Sequence, residues 1–305
     1  MLIQENISLA PLTTFKIGGP ARFFVEVGTA EEIVQAKKFA QEKNLPVLIF
    51  GGGSNVLIND EGFPGLIIRI IKGGWNINGN QIEVGTSVYM AALAVMASRN
   101  GLRGLEWAGG LPGTLGGAVR GNAGAFRFEI SQNVKSVEIL RNDKIIQLKP
   151  EECGFGYRTS HFKNKLKDDI ILSVRLELAV GDTKESEKQL QEFLTHRQSH
   201  QPPHPSAGCI FKNFSFTGTT DIVALKDIVP TQFLEYKKIP AAWLVEQAGM
   251  KGAQVGQAQV SIVHANFIVN LGGAKAVEVL TLIRQIKEKV YNKFHIKLEE
   301  EVQII

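Results

Sequence analysis

The chain is short of cysteine, of long apolar runs, of one-sided charge and of repeated sequence, and each shortage removes a class of protein. Cys153 and Cys209 are the only cysteines among 305 residues, too few for a disulfide framework or a Cys-rich metal knuckle. A reducing cytoplasm is the expected compartment. The apolar runs VLIF and LIIRII fall far below the roughly 20 residues needed to cross a bilayer. The opening MLIQENISLAPLTTF lacks a basic stretch followed by a long apolar one, so no secretory signal is expected. Thirty-four Lys plus Arg against 30 Asp plus Glu leave a formal net charge of +4. Without a basic run this argues against a nucleic-acid surface and suits an anionic small substrate. No internal repeat, low-complexity tract or disordered tail is evident.

What is plentiful is glycine. The 31 glycines cluster as GGGSN at 51–55 and GGLPGTLGGAVRGNAGA at 109–125, and clustered glycine marks positive φ or backbone close to a ligand. Hydrophobic residues make up 44% of the chain, which with this length points to two or three packed units.

Between the glycine clusters the pattern alternates strand and helix, as in α+β or α/β layers. TTFKIGGPARFFVEV (13–27) reads as a strand pair around Gly-Gly. Residues 31–44 carry helical spacing at Ile33, Ala36, Phe39 and Ala40, and PVLIF (46–50) is a short buried strand running into Gly51. LIIRI and QIEVG read as strands, and 87–101 as a helix stopped by Gly101. VKSVEILRND and KIIQLK form a hairpin across Asn142-Asp143, followed by a strand at 169–180 and a helix at 184–200. QPPHP (201–205) ends that helix, because paired prolines cannot continue it, and marks a candidate domain boundary. Beyond it lie a strand region, a helix with the apolar stripe Val277, Leu280, Ile283, Ile286 and Val290, and a closing strand IKLEEEVQII.

A strand feeding GGGSNVL sets backbone N–H groups and the Ser54 hydroxyl where a phosphate could sit. The loop lacks the third glycine of a Rossmann fingerprint and the G-K-[ST] of a P-loop, and alone it reads as well as a plain turn. Seven glycines from Gly109 to Gly124 exceed what a connection needs. Two such loops together point to an extended ligand with its own phosphates, such as a dinucleotide. His196, His200 and His204 recur every four residues, but Pro202 and Pro203 interrupt any shared helix and no carboxylate is usefully spaced, so no metal site is expected.

TFKIGGPARFF, GGGSNVLINDEGFPGLIIRI, GLEWAGGLPGTLGGAVRGNAGA, FGYRTS, SAGCIFKN and LEEEVQII, in this order, resemble the signature segments of the UDP-N-acetylenolpyruvoylglucosamine reductase family, from about residue 13 to the end. The resemblance implies an α+β chain of the vanillyl-alcohol-oxidase-type fold, in the family's shorter form. It implies FAD-binding subdomains over about 1–80 and 81–200 and a UDP-sugar domain over 201–305. By the same resemblance Gly51, Gly52, Gly53, Ser54 and Asn55 hold the FAD pyrophosphate. Pro112, Gly113, Thr114, Gly116, Gly117, Ala118, Gly121, Asn122, Ala123 and Gly124 line the pyrophosphate and isoalloxazine. Some oxidases of the wider fold bond flavin to a His of the first loop; this loop has Ser54-Asn55, so non-covalent FAD is expected.

The implied reaction is NADPH-dependent reduction of UDP-N-acetylglucosamine enolpyruvate to UDP-N-acetylmuramate, a peptidoglycan precursor, by a cytoplasmic monomer. Hydride delivered to a vinyl CH2 leaves negative charge on the adjacent carbon and its carboxylate, so the site needs a fixed cation and an acid. Arg158 in FGYRTS matches the family's catalytic arginine; without the family it would read as a surface residue. Glu301 in LEEEVQII matches the catalytic glutamate. In an alternating strand Glu299 and Glu301 share a face, so register leaves both open, and only the resemblance selects Glu301. Cys209 stands in SAGCIFKN where the family most often has a proton-donating serine. A lone cysteine is usually core, but a thiol is still mostly protonated at neutral pH and can serve as the acid. Tyr157, Lys212, Asn213 and Gln247 are expected to contact substrate. The rival readings are an FAD oxidase of the same fold acting on a sugar or alcohol, and a non-catalytic UDP-sugar-binding module.

Overall fold

The computed structural model describes residues 1–71, 73–216, 225 and 228–305. The chain is α+β and divides into two compact units. The first comprises Met1–Ile7, Ala21–Gly53 and Phe63–Ser199; the second comprises Ser8–Pro20, Ser54–Gly62 and His200–Ile305. The break at Ser199/His200 falls where the prolines follow the helix Thr183–His200. The second unit is nevertheless not the contiguous stretch 201–305, because two N-terminal segments fold into it.

The first unit carries two sheets. In the smaller, strands Ile3–Ser8, Pro20–Val27, Phe63–Ile70 and Val47–Phe50 lie in that order. Phe63–Ile70 runs parallel to both Pro20–Val27 and Val47–Phe50. The helix Ala30–Glu42 makes the crossover that parallel strands require. Its N-cap Thr29 accepts a hydrogen bond from the Glu32 N–H at 3.2 Å, and Ile33, Ala36 and Ala40 are buried. The larger sheet is antiparallel, in the order Lys144–Leu148, Val134–Arg141, Ile170–Glu177, Gln81–Gly85, Trp75–Asn78. Its hairpin turns across Asn142 and Asp143 with φ of 48° and 61°, as a two-residue primed turn demands. Ile82, Val84, Val137, Val174 and the fully buried Trp107 centre its core.

In the second unit Ser206–Cys209, Phe267–Asn270, Ala258–Val260 and Gln254–Val255 form one sheet. Gln303–Ile304 pairs in parallel with Val56–Leu57. The helix Ala276–Phe294 packs Val279, Leu282, Ile283, Ile286, Val290 and Phe294 into the core. Asp60 accepts from the first N–H groups of that helix, Ala276 at 2.8 Å and Val277 at 3.1 Å.

Three expectations are corrected here. Residues 13–19 form no strand: Lys16 and Gly18 have φ of 57° and 142°, which breaks extension, while Phe15 and Ile17 anchor the segment in the second core. Val277 is 57% exposed, because the buried stripe is centred on Val279 and Leu282 instead. The closing strand is confined to Gln303–Ile304, with Glu300 adding one isolated bridge to Phe211.

Candidate active site

In the first unit the two glycine loops touch. A Cβ on Gly52 would stand 2.7 Å from the Gly113 Cα, closer than any side chain tolerates. Gly53, with φ of 61°, occupies the left-handed region that favours glycine. The second loop is pinned from behind: Met90 N–H donates to Gly113 O at 3.0 Å, Leu115 N–H to Val88 O at 2.8 Å and Gly116 N–H to Thr86 O at 2.9 Å. Thr114 and Ala118 are buried beside them, whereas Pro112 and Gly117 are exposed.

Gly116 is needed for packing, since a Cβ there would strike Thr86 Oγ1. Gly117 and Gly121 are different. Neither has positive φ; a Cβ on Gly117 would meet only Thr114 Oγ1 at 3.8 Å, and one on Gly121 nothing within 4 Å among the described residues. The protein's own packing therefore gives no reason for glycine at these two positions. Bare backbone beside open space fits a flat, extended cofactor such as FAD lying against the loop.

The end of the second loop is stitched to the segment bearing Arg158. Asn122 is fully buried, and its Nδ2 donates to Gly156 O and to Glu129 Oε2, both at 2.9 Å. Ser160 Oγ donates to Arg120 O at 2.7 Å. Gly156 and Thr159 exchange both main-chain bonds, at 3.0 and 3.1 Å, so Tyr157 and Arg158 form the tip of a tight turn. Arg158 has φ of 56°, a left-handed conformation costing about 1–2 kcal/mol for a residue with a Cβ. Such strain persists where the surroundings over-determine it, often at functional sites. Here Arg158 Nη2 donates to Gly124 O at 2.7 Å, Lys163 Nζ donates to Arg158 O at 2.7 Å, and the guanidinium lies 5.4 Å from the centre of the Tyr157 ring. Arg120 is the one charged residue between Gly109 and Ala125, and burial pushes its guanidinium below the ordinary arginine value.

In the second unit the main chain of Glu301 meets that of Ile210, the residue after Cys209. The strand Ser206–Cys209 carries a bulge, pairing Ser206 with Val269 but Cys209 with Phe267, and Gly208 within it has φ of 78°. Bulges re-aim side chains, and this one ends at the half-buried Cys209. Glu301 N–H donates to the carbonyl of the next residue, Ile210, at 2.7 Å. Buried Asn266 braces the same stretch: Phe211 N–H donates to its Oδ1 at 3.0 Å, and its Nδ2 donates to Phe211 O at 2.8 Å. The neighbouring glutamates are paired elsewhere, Glu299 with Lys212 at 3.1 Å and Glu300 with Lys287 at 2.8 Å. Asn213 Oδ1 accepts from Ala241 N–H at 3.0 Å, at the start of the helix Ala241–Gln247. Gln247 is exposed at that helix's other end, about 9 Å away at 1.5 Å rise per residue.

Residues 199–305 match the UDP-N-acetylenolpyruvoylglucosamine reductase C-terminal domain, and residues 21–147 match an FAD binding domain. The UDP-N-acetylenolpyruvoylglucosamine reductase of Halalkalibacterium halodurans is 38% identical over 99% of this chain and 94% of its own length. The chain belongs to the UDP-N-acetylenolpyruvoylglucosamine reductase family. The enzyme of that name from a Synechococcus species is 39% identical over 99% of this chain and 91% of its own. The crystal structure of the family's Thermus caldophilus reductase superposes with a TM-score of 0.81 at 34% identity, covering 99% of both chains. Membership makes the chain an oxidoreductase with an FAD-binding domain.

Sequence reasoning missed three contributors. Asn266 is an amide inside the apolar run SIVHANFIVN, and a polar residue there signals a buried hydrogen-bonding brace. Ser160 and Arg120 carried no comparable signal.

Proposed function

We propose that this protein reduces UDP-N-acetylglucosamine enolpyruvate to UDP-N-acetylmuramate with NADPH, as a cytoplasmic monomer supplying peptidoglycan synthesis. FAD, when bound, would supply the chemistry of hydride transfer between NADPH and the enolpyruvyl CH2. Gly51–Gly53 and Ser54 of the first loop, with 112–118 and 121–124 of the second, hold it non-covalently.

The chain's own groups manage charge and proton. The two electrons arriving with the hydride leave negative charge on the carbon that bears the ether oxygen and the carboxylate. Arg158 neutralises it, its planar fork matching a carboxylate-enolate. Cys209 gives its thiol proton to that carbon and regains one from solvent. Glu301, whose N–H is bonded to the Ile210 carbonyl, is the second acid–base group at the substrate. Tyr157, Lys212, Asn213 and Gln247 orient the UDP-sugar.

The observation that supports this reading is the main-chain bond from Glu301 to Ile210, which ties the backbone of Glu301 to the residue next to Cys209 in a member of a reductase family. The test separates the half-reactions. In Arg158→Ala and Glu301→Gln, anaerobic NADPH should bleach the flavin at the wild-type rate. Reoxidation by the enolpyruvyl substrate should slow by about a hundredfold or more, the usual scale for losing an electrostatic or acid group. Failure of bleaching in folded variants would show that these residues serve NADPH instead.

A further inference from the structure

We propose that the Asn55 side chain is a positioning group for Glu301; this rests on the reading of Glu301 as a group acting on substrate. Although Asn55 closes the glycine loop GGGSN, its side-chain NH2 and its carbonyl turn to the C-terminal segment. Its Nδ2 donates to Glu301 O at 3.1 Å, and its own carbonyl accepts from Gln303 N–H at 3.0 Å.

Glu301 lies outside the regular strand Gln303–Ile304. The two ends of its peptide environment are instead fixed by different segments. Ile210, beside Cys209, accepts from its N–H at 2.7 Å, and the Asn55 amide donates to its C=O. The strand after Asn55, Val56–Leu57, pairs with Gln303–Ile304 and locks the register. A carboxyl that must meet a reacting atom needs its backbone fixed to a fraction of an ångström, since a displacement of about 1 Å can cost a hundredfold in rate. The Asn55 amide ties the Glu301 carbonyl to the residue that precedes the strand Val56–Leu57.

The test uses the full-length, FAD-loaded protein. Asn55→Leu removes the amide donor. Asn55→Asp keeps its size and the main-chain bond from Gln303 but cannot donate when ionised, and carries the test if the leucine variant does not fold. Both should retain stoichiometric flavin and be bleached by NADPH at the wild-type rate, while reoxidation by the enolpyruvyl substrate slows about tenfold or more. In a Glu301→Gln background, Asn55→Leu should add less than about a twofold further loss, because residues acting as one unit are not additive. Amide exchange over residues 299–303 should quicken in Asn55→Leu, a readout independent of substrate. Loss of flavin, equal slowing of both half-reactions, a fully additive double variant or unchanged exchange would each overturn the assignment. Wild-type protein that is bleached but never reoxidised by that substrate would sink the proposed function, while the exchange result would still decide the role of Asn55.

Discussion

At the scale of single residues the two cysteines have opposite surroundings. Cys209 is half-buried at the end of a bulge. Cys153 is fully buried, its Sγ donating to Lys149 O at 3.4 Å, and burial together with Glu152 and Glu151 pushes its thiol up to about 12. Cys209→Ser should remain a working enzyme, since a hydroxyl can fill the same role. Cys209→Ala should be bleached normally yet stall at substrate reduction. An alanine variant with unchanged turnover and a lowered melting temperature would return Cys209 to the core. Cys153 predicts an alkaline signature instead. Its folded pKa lies above the ordinary thiol value of 9.0, so above that pH the unfolded chain loses a proton the folded chain keeps. Stability should then fall as pH rises between 9.0 and about 12, by up to about 1.4 kcal/mol per pH unit. Urea midpoints of Cys153→Ala should show a shallower decline over that range.

At the scale of elements the glycine loops divide into packing and cradle. Gly52 and Gly116 let backbone approach backbone and Thr86, whereas Gly117 and Gly121 leave open faces. Gly53→Val forces a β-branched residue into φ of 61°, where it is a genuine outlier. The purified variant should be colourless and melt lower; stoichiometric FAD in it would reduce the first loop to a turn. The same scale explains Asn122. The sequence places it among cofactor-lining glycines, yet its side chain is spent on Gly156 and Glu129, joining the loop to the Tyr157–Arg158 turn.

At the scale of the whole molecule the second unit cannot be cut from the chain at His200. Its core includes Phe15, Ile17 and Leu57 from two N-terminal segments, and Gln303–Ile304 has its strand partner at Val56–Leu57. A fragment of residues 200–305 should therefore lack the cooperative unfolding transition by circular dichroism that the intact chain should show. A stably folded fragment would mean that the two inserted segments are dispensable to that core. Among the described residues no helix is long and apolar enough to cross a membrane.

Local chemistry alone determined much of this protein. Period and turn chemistry wrote the helices Ala30–Glu42 and Thr183–His200, the Asn142-Asp143 turn and the strand running into Gly51, because each depends on neighbours within a few residues; that strand is not the buried one expected, since Val47 and Ile49 are exposed. Motif order was enough to reach the family that the full-length relatives bear out. What only tertiary structure decided involves partners far apart in the chain. The buried face of the helix Ala276–Phe294 is set by the core it meets, so a stripe starting at Val277 was one residue choice away from the real one. The alternation Phe15, Ile17 reads as a strand until the Phe15 carbonyl is seen to accept from Asn270 and the Ile17 carbonyl from Thr13. Asn55 reaches Glu301 across 246 positions, a separation at which neither propensity nor spacing carries any signal.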